Sequence, residues 1–133
     1  MPPLVAAWNG IAQTLRQISG RFPLRDESSQ EAMLYYRRAC LAAAEERFDV
    51  ALVFAAKALD LDPRDLATRL LIAHVHDQGL RNADAAVHAY RKVIALSGYD
   101  GANPYCAAAR EALARLVERA APIPVLEDGA SIA

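Results

Sequence analysis

The sequence predicts an all-α protein of about six helices that pair as antiparallel hairpins. The first observation behind this prediction is an internal repeat, because residues 32–63 and 66–98 align with each other at an offset of about 34 residues. The second is the set of residues that coincide in the alignment. The aligned pairs are Ala39 with Ala73, Ala51 with Ala86, Ala55 with Tyr90, Ala58 with Val93 and Leu61 with Leu96. Small residues at matched positions let two helices approach closely, and larger apolar residues fill the space that remains.

Composition and charge are those of one small globular domain. The chain has 133 residues, of which 54% are hydrophobic and 23% charged, enough for a single helical core. The formal net charge of -1 gives no basic surface for nucleic acid, so we exclude that class of partner. No apolar run approaches the roughly 20 residues of a membrane span, so we expect no transmembrane helix. The first residues lack the basic start of a secretory signal, so we expect the protein in the cytoplasm.

Residues 1–27 are predicted to form an amphipathic helix followed by a loop. Pro2 and Pro3 suit the start of the helix and Gly20 suits its end. Apolar residues recur at steps of three and four along the helix. The stripe consists of Trp8, Ile11, Leu15 and Ile18. This stripe either covers the end of the following domain or contacts a second copy of the chain.

Residues 28–121 carry the start and stop signals of five further helices. The first pair is predicted to begin at Ser28, with Glu31 completing a capping box, and at Asp49, and to end at Pro63. For the remaining helices, the predicted N-terminal caps are Asp65, Asn82 and Asn103, and the predicted breaks are Gly79, Gly98 and Pro122. Residues 122–133 contain two prolines and no helical period, so we expect a tail that is flexible or docked as an extended strand.

The two copies resemble the tetratricopeptide repeat, a helix-turn-helix unit of roughly 34 residues. In the first copy the matching residues are Tyr35, Ala39, Phe48, Ala51, Ala58 and Pro63, together with the string KALDLDP that ends at Pro63. In the second copy they are Ile72, Ala73, Ala86, Tyr90, Val93 and Leu96. The second copy departs from the family pattern at Arg69 and Gly98 and has one extra residue between Gly79 and Asn82.

The resemblance implies an α-α superhelix with a concave groove that is lined by the first helix of each repeat. In this family the groove holds a peptide or helix of a partner protein, so the implied function is that of an adaptor or scaffold. The groove positions carried over to this chain are Met33, Tyr36, Arg37, Cys40, Leu70, His74, Asp77 and Gln78. Family members that grip the acidic ends of chaperones use Lys and Asn where this chain has Tyr36, Cys40 and Leu71, so we do not expect that partner.

Other classes of function have weaker support in the sequence. A self-assembling structural protein, joined through the N-terminal helix or the repeat ends, is the main alternative. An interfacial membrane anchor formed by the first helix is less favoured, because only Arg16 and Arg21 lie nearby to attract lipid. His74 and Asp77 with Cys40 would form only a loose metal site without a recognised spacing. We therefore expect no metal, no cofactor and no enzymatic activity.

Overall fold

The computed structural model describes residues 27–120. All regular secondary structure in this part of the chain is helical. Its elements are α1 (Glu27–Ala44), α2 (Phe48–Leu61), α3 (Leu66–His74), a π-helical segment (Val75–Gly79), α4 (Ala83–Leu96) and α5 (Pro104–Ala120). The prediction of an all-α fold is confirmed. The expected N-terminal helix with Trp8, Ile11, Leu15 and Ile18, and the expected tail 122–133, lie outside the described residues.

The helices pack as two hairpins followed by a single helix. α1 lies against α2, and α3 with the π segment lies against α4. α2 also contacts α3 and the π segment, which joins the two hairpins, and α5 packs on α4 and touches α3. α3 and the π segment are therefore central to the described domain.

Most of the predicted helix caps are present. The Asp65 side chain accepts a hydrogen bond from the amide of Ala67 at 3.2 Å, and Asn82 accepts one from Ala85 at 3.2 Å. Asn103 accepts from the amides of Tyr105 and Cys106, at the start of the helix that begins with Pro104. Each cap satisfies a backbone donor that has no partner within the first turn of its helix.

The start of α2 differs from the sequence prediction. Asp49 was expected as the cap, but α2 begins at Phe48 and the capping position is Arg47, whose side chain makes no capping hydrogen bond. The preceding turn instead closes α1, since the Arg47 amide donates to the Ala42 carbonyl and Glu46 adopts a positive φ of 61°. Asp49 lies in the first turn of α2, where its charge complements the positive end of the helix dipole.

The repeated small residues form the centre of the core. Six alanines that the alignment of the two copies singles out are at most 1% exposed: Ala39, Ala51, Ala55, Ala58, Ala73 and Ala86. Most of the largest fully buried side chains lie in the second hairpin, on α3, the π segment and α4, and include Tyr90, Leu70, Leu71 and Val75. Cys40 lies on α1 and Cys106 on α5, and neither is paired in a disulfide. None of the helices among residues 27–120 has the length and apolar character to cross a membrane.

The extra residue of the second copy is accommodated by the π segment. The Leu80 amide donates to the Val75 carbonyl five residues back, and the Asn82 amide donates to the His76 carbonyl six residues back, both at 2.8 Å. These wider turns take up one more residue than an α-helix would in the same length. Arg81 then reverses the chain with a positive φ of 57°.

Gly79 ends the π segment in close contact with α2. A Cβ atom added at Gly79 would lie 2.7 Å from two ring carbons of Phe48. The backbone of Gly79 does not adopt a positive φ, so it is this contact and not the backbone conformation that requires glycine.

We expect Gly79→Ala to lower the free energy of unfolding by about 1–2 kcal/mol, because the Phe48 ring must move to admit the methyl group. Chemical denaturation of the wild type and the variant measures this loss. Phe48→Leu provides the control, since a smaller side chain relieves the contact and the double variant should then lose less than the sum of the two single losses. Strictly additive losses would contradict the contact as the cause.

Candidate functional site

The structure divides the predicted groove residues into exposed, half-buried and buried positions. Arg37 is exposed, and four others are half-buried: Met33, Cys40, His74 and Gln78. Tyr36, Leu70 and Asp77 are only 1–5% exposed. The expectation that these three side chains face a partner is corrected, because they are packed within the hydrophobic core or, for Asp77, beneath other polar groups.

A stripe of exposed residues runs along the face of α1 that points away from the core. Leu34 and Leu41 are 55% and 62% exposed, and the exposed Arg37 lies between them. A step of seven residues falls about 20° short of two full turns, so the two leucines share one face. Leu34, Arg37 and Leu41 together are called the α1 stripe below.

The neighbouring flank of α1 is covered by aromatic contacts with α2. The rings of Tyr35 and Phe54 stack with centroids 6.4 Å apart. Arg38 lies over the Phe54 ring at 6.0 Å, and Lys57 lies over the Tyr35 ring at 5.9 Å. These contacts stabilise the hairpin at one side of the α1 stripe and leave the stripe itself open.

A buried polar network lies where the π segment meets α4 and α5. The Tyr90 hydroxyl is 2.9 Å from Asp77 Oδ2 and 2.8 Å from His74 Nδ1. Arg119 donates to Asp77 Oδ1 at 2.9 Å, which forms an ion pair. The network thus joins α3 and the π segment to α4 and to the more distant α5.

The hydrogen-bond chemistry fixes the direction of each bond in this network. A carboxylate paired with a guanidinium has no proton to give, so the single Tyr90 proton is donated to Asp77. The Tyr90 oxygen therefore accepts from His74, which places the imidazole proton on Nδ1. With His74 in the neutral tautomer that is protonated at Nδ1, the hydrogen bonds of Tyr90 to His74 and to Asp77 can both form.

Burial has the largest effect on the pKa values of His74 and Tyr90 in this network. Desolvation lowers the pKa of His74 to about 4, against a smaller opposing effect of Asp77, while Arg115 lowers it further. Desolvation raises the pKa of the Tyr90 hydroxyl, and the neighbouring Asp77 charge raises it further. His74 is therefore neutral at pH 7, and Tyr90 remains a hydrogen-bond donor rather than a nucleophile or base.

A pocket of about 270 Å³ opens above this network between α4 and α5. Its lining residues are Asp77, Arg81, Ala83, Leu116 and Arg119. The Arg119 side chain is 53% exposed although one of its nitrogens is bound to Asp77. The pocket thus has two arginines at its surface and a carboxylate at its floor that is already paired.

Within residues 27–120, no group of three or more His, Cys, Asp or Glu side chains lies close enough to hold a metal ion. Cys40 lies on α1, whereas His74 and Asp77 lie on α3 and the π segment, and His74 Nδ1 is bound to Tyr90. The described polar groups around the π segment stabilise the fold and shape the pocket, and they do not form a recognisable catalytic arrangement.

Sequence reasoning missed the two exposed leucines of α1 and the role of Tyr90. Leu34 and Leu41 fall outside the spacing of the core residues Ala32, Tyr36, Ala39 and Ala43, and this mismatch was the available signal. Tyr90 was expected only as a packing residue. No signal connects it with Arg119, because the Asp77–Arg119 contact spans 42 residues.

Comparisons of the chain with protein-family models, with curated proteins and with solved structures gave no match. The resemblance to the tetratricopeptide repeat therefore depends only on the matching residues in the two internal copies, 32–63 and 66–98.

Proposed function

We propose that this protein is an adaptor that binds a helix or an extended peptide of another protein through the outer face of α1. The observation that carries the proposal is the exposure of Leu34 and Leu41, 55% and 62%, on one face of a helix. Large apolar side chains that share one helical face are a common feature of sites for partner proteins.

The composition of the α1 stripe favours a partner segment with two apolar residues and an acidic residue between them. Leu34 and Leu41 suit two apolar anchors about two helical turns apart. Arg37, with the neighbouring exposed Arg38, suits an acidic residue between those anchors. Half-buried Met33 borders the stripe and supplies an adaptable contact.

The resemblance to the tetratricopeptide repeat supports the same proposal. In that family the first helix of each repeat faces the partner, and α1 is the first helix of the first copy. The two helix hairpins are consistent with this arrangement. A tetratricopeptide-like superhelix is part of the proposal, with the partner on the outer face of α1 and not in the concave groove.

The double variant Leu34→Ser/Leu41→Ser is expected to lose roughly fivefold to thirtyfold in partner affinity, because two exposed apolar anchors contribute roughly 1–2 kcal/mol together. Affinity capture followed by quantitative mass spectrometry identifies the partner, and titration of that partner measures the loss. The melting temperature should change little, since both leucines are already exposed in the free protein.

Val53→Ser is the matched control, because Val53 is 55% exposed on α2 and lies outside the α1 stripe. It should retain the partner that the double variant loses. Equal retention by both variants, or equal loss in both, would contradict the assignment of the partner site to α1.

Self-assembly is the competing function, because the same apolar stripe could contact a second copy of the chain. Light scattering during size-exclusion chromatography separates the two accounts. Our proposal predicts a mass near 14.4 kDa at all protein concentrations. A dimer that dissociates in the Leu34→Ser/Leu41→Ser variant would favour self-assembly instead.

A further inference from the structure

We propose that the pocket between Arg81 and Arg119 is a docking site for the chain's own acidic C-terminal segment, through the carboxylates of Glu127 and Asp128. This inference concerns a surface on the opposite hairpin from the α1 stripe, and it does not depend on the identity of a partner protein.

The charges of the pocket leave it positive. Asp77 accepts hydrogen bonds at both oxygens, one from Arg119 and one from Tyr90, so its charge is balanced by Arg119. The ion pairs among residues 27–120 are Arg47–Glu45, Arg115–Glu111 and Arg119–Asp77, and none of them includes Arg81. Arg81 is exposed, and the lining of the pocket therefore holds two guanidinium groups against one carboxylate.

The donors at the pocket suit a carboxylate. Arg119 uses one nitrogen for Asp77, and a guanidinium carries five N–H donors in total. Ala83, the first residue of α4, lies in the lining, so the positive end of that helix also faces the pocket. Leu116 provides an apolar wall beside these donors.

The size of the pocket limits its occupant. A volume of about 270 Å³ is below the range of about 300–1,000 Å³ that is typical of sites for whole small molecules. It is sufficient for an acidic side chain and part of a neighbouring residue. A segment of polypeptide that carries carboxylates is therefore the occupant that fits best.

The sequence after α5 has this chemistry. Residues 121–133 read APIPVLEDGASIA, with the two carboxylates Glu127 and Asp128 and no lysine or arginine. α5 is described to Ala120, the residue after Arg119, which lines the pocket. The seven residues from Ala120 to Glu127 can span up to about 23 Å, which is enough to return to the pocket.

A weak contact is sufficient when the segment is part of the same chain. A short linker holds the segment at an effective concentration in the millimolar range, so a contact of millimolar affinity fills about half of the pockets. Because exposed ion pairs of this kind are screened by salt, occupancy should fall at high ionic strength.

The test compares the full chain with the variant Glu127→Gln/Asp128→Asn by NMR. Neutralising the two carboxylates should shift the backbone amide of Ala83 and the Nε–H signals of Arg81 and Arg119. High salt should reduce the difference between the two proteins, and dilution should not. Asp60→Asn is the matched control, because Asp60 is an exposed carboxylate on α2 and its neutralisation should leave these signals unchanged.

A second measurement uses a labelled peptide with the sequence of residues 121–133 as the probe. The neutral-tail variant should bind this peptide at least about twofold more tightly than the wild type, because half of the wild-type pockets are occupied. Arg81→Gln in the neutral-tail variant should abolish that gain.

Several results would overturn the proposal. Unchanged signals at the pocket in the neutral-tail variant, equal affinity of both proteins for the peptide, or the absence of peptide binding would each contradict docking. Signal differences that disappear on dilution would show that the segment comes from a second copy, which also contradicts the intramolecular site.

Discussion

Tyr90→Phe is expected to lower the free energy of unfolding by about 2–4 kcal/mol, because two buried polar groups lose their partner at once. Tyr90 is 0% exposed, and its hydroxyl contacts both Asp77 and His74. Phenylalanine preserves the packing of the ring and removes only the hydroxyl. Urea denaturation of the wild type and the variant measures the loss.

Asp77→Asn is the informative control for this prediction. The asparagine oxygen can still accept from Arg119, and its amide can donate to the Tyr90 oxygen. The Tyr90 proton then turns to His74 Nδ1, which changes its tautomer and keeps every group paired. We expect this variant to lose only about 1 kcal/mol from the ion pair. A loss as large as that of Tyr90→Phe would contradict the assigned proton positions.

The stability of the protein is expected to fall as pH decreases from about 6.5 toward 4, with His74 as the main cause. Burial lowers the pKa of His74 in the folded state to about 4, below its ordinary value of 6.5. In this range the unfolded chain binds a proton that the folded protein excludes, so protonation favours unfolding. The loss from this residue is at most about 3 kcal/mol, at about 1.4 kcal/mol per pKa unit.

Denaturation at a series of pH values measures this dependence. His74→Asn should flatten it, because the amide can donate to Tyr90 as Nδ1–H does but does not titrate. His88→Gln is the matched control, since His88 is exposed on α4 and its replacement should leave the curve unchanged. Burial also lowers the pKa of His76, which adds a smaller slope of the same sign, and it raises the pKa of Asp65, which opposes that slope at the acid end of the range. An unaltered curve for His74→Asn would contradict the assignment.

The helices and most of their caps could be predicted because the signals are local. Asp65, Asn82 and Asn103 each bond to an amide two or three residues away, and such short contacts can be recognised in the sequence. The start of α2 could not be predicted in this way, because the preceding turn is closed by backbone bonds that residues of any type can make.

The candidate site was harder to predict from the sequence because its contacts join residues that are distant in the chain. The extra residue near Gly79 was visible in the alignment of the two copies, but its consequence, the π segment that presents Asp77 to Tyr90, depends on packing against α4. Tyr36 and Leu70 match family positions that line a groove, yet in this chain neighbouring helices bury them. Exposure depends on tertiary packing, and a sequence pattern determines it only in part.

Site-specific photo-crosslinking tests the central claim, that the outer face of α1 binds another protein, most directly. A photoreactive phenylalanine analogue is placed at Leu34 in one protein and at Val53, of equal exposure on α2, in the other. We predict that the probe at position 34 forms an adduct with a different protein, that addition of unlabelled wild-type chain reduces this adduct, and that the probe at position 53 forms none. Adducts only between copies of the chain, or the same adducts from both positions, would contradict the account.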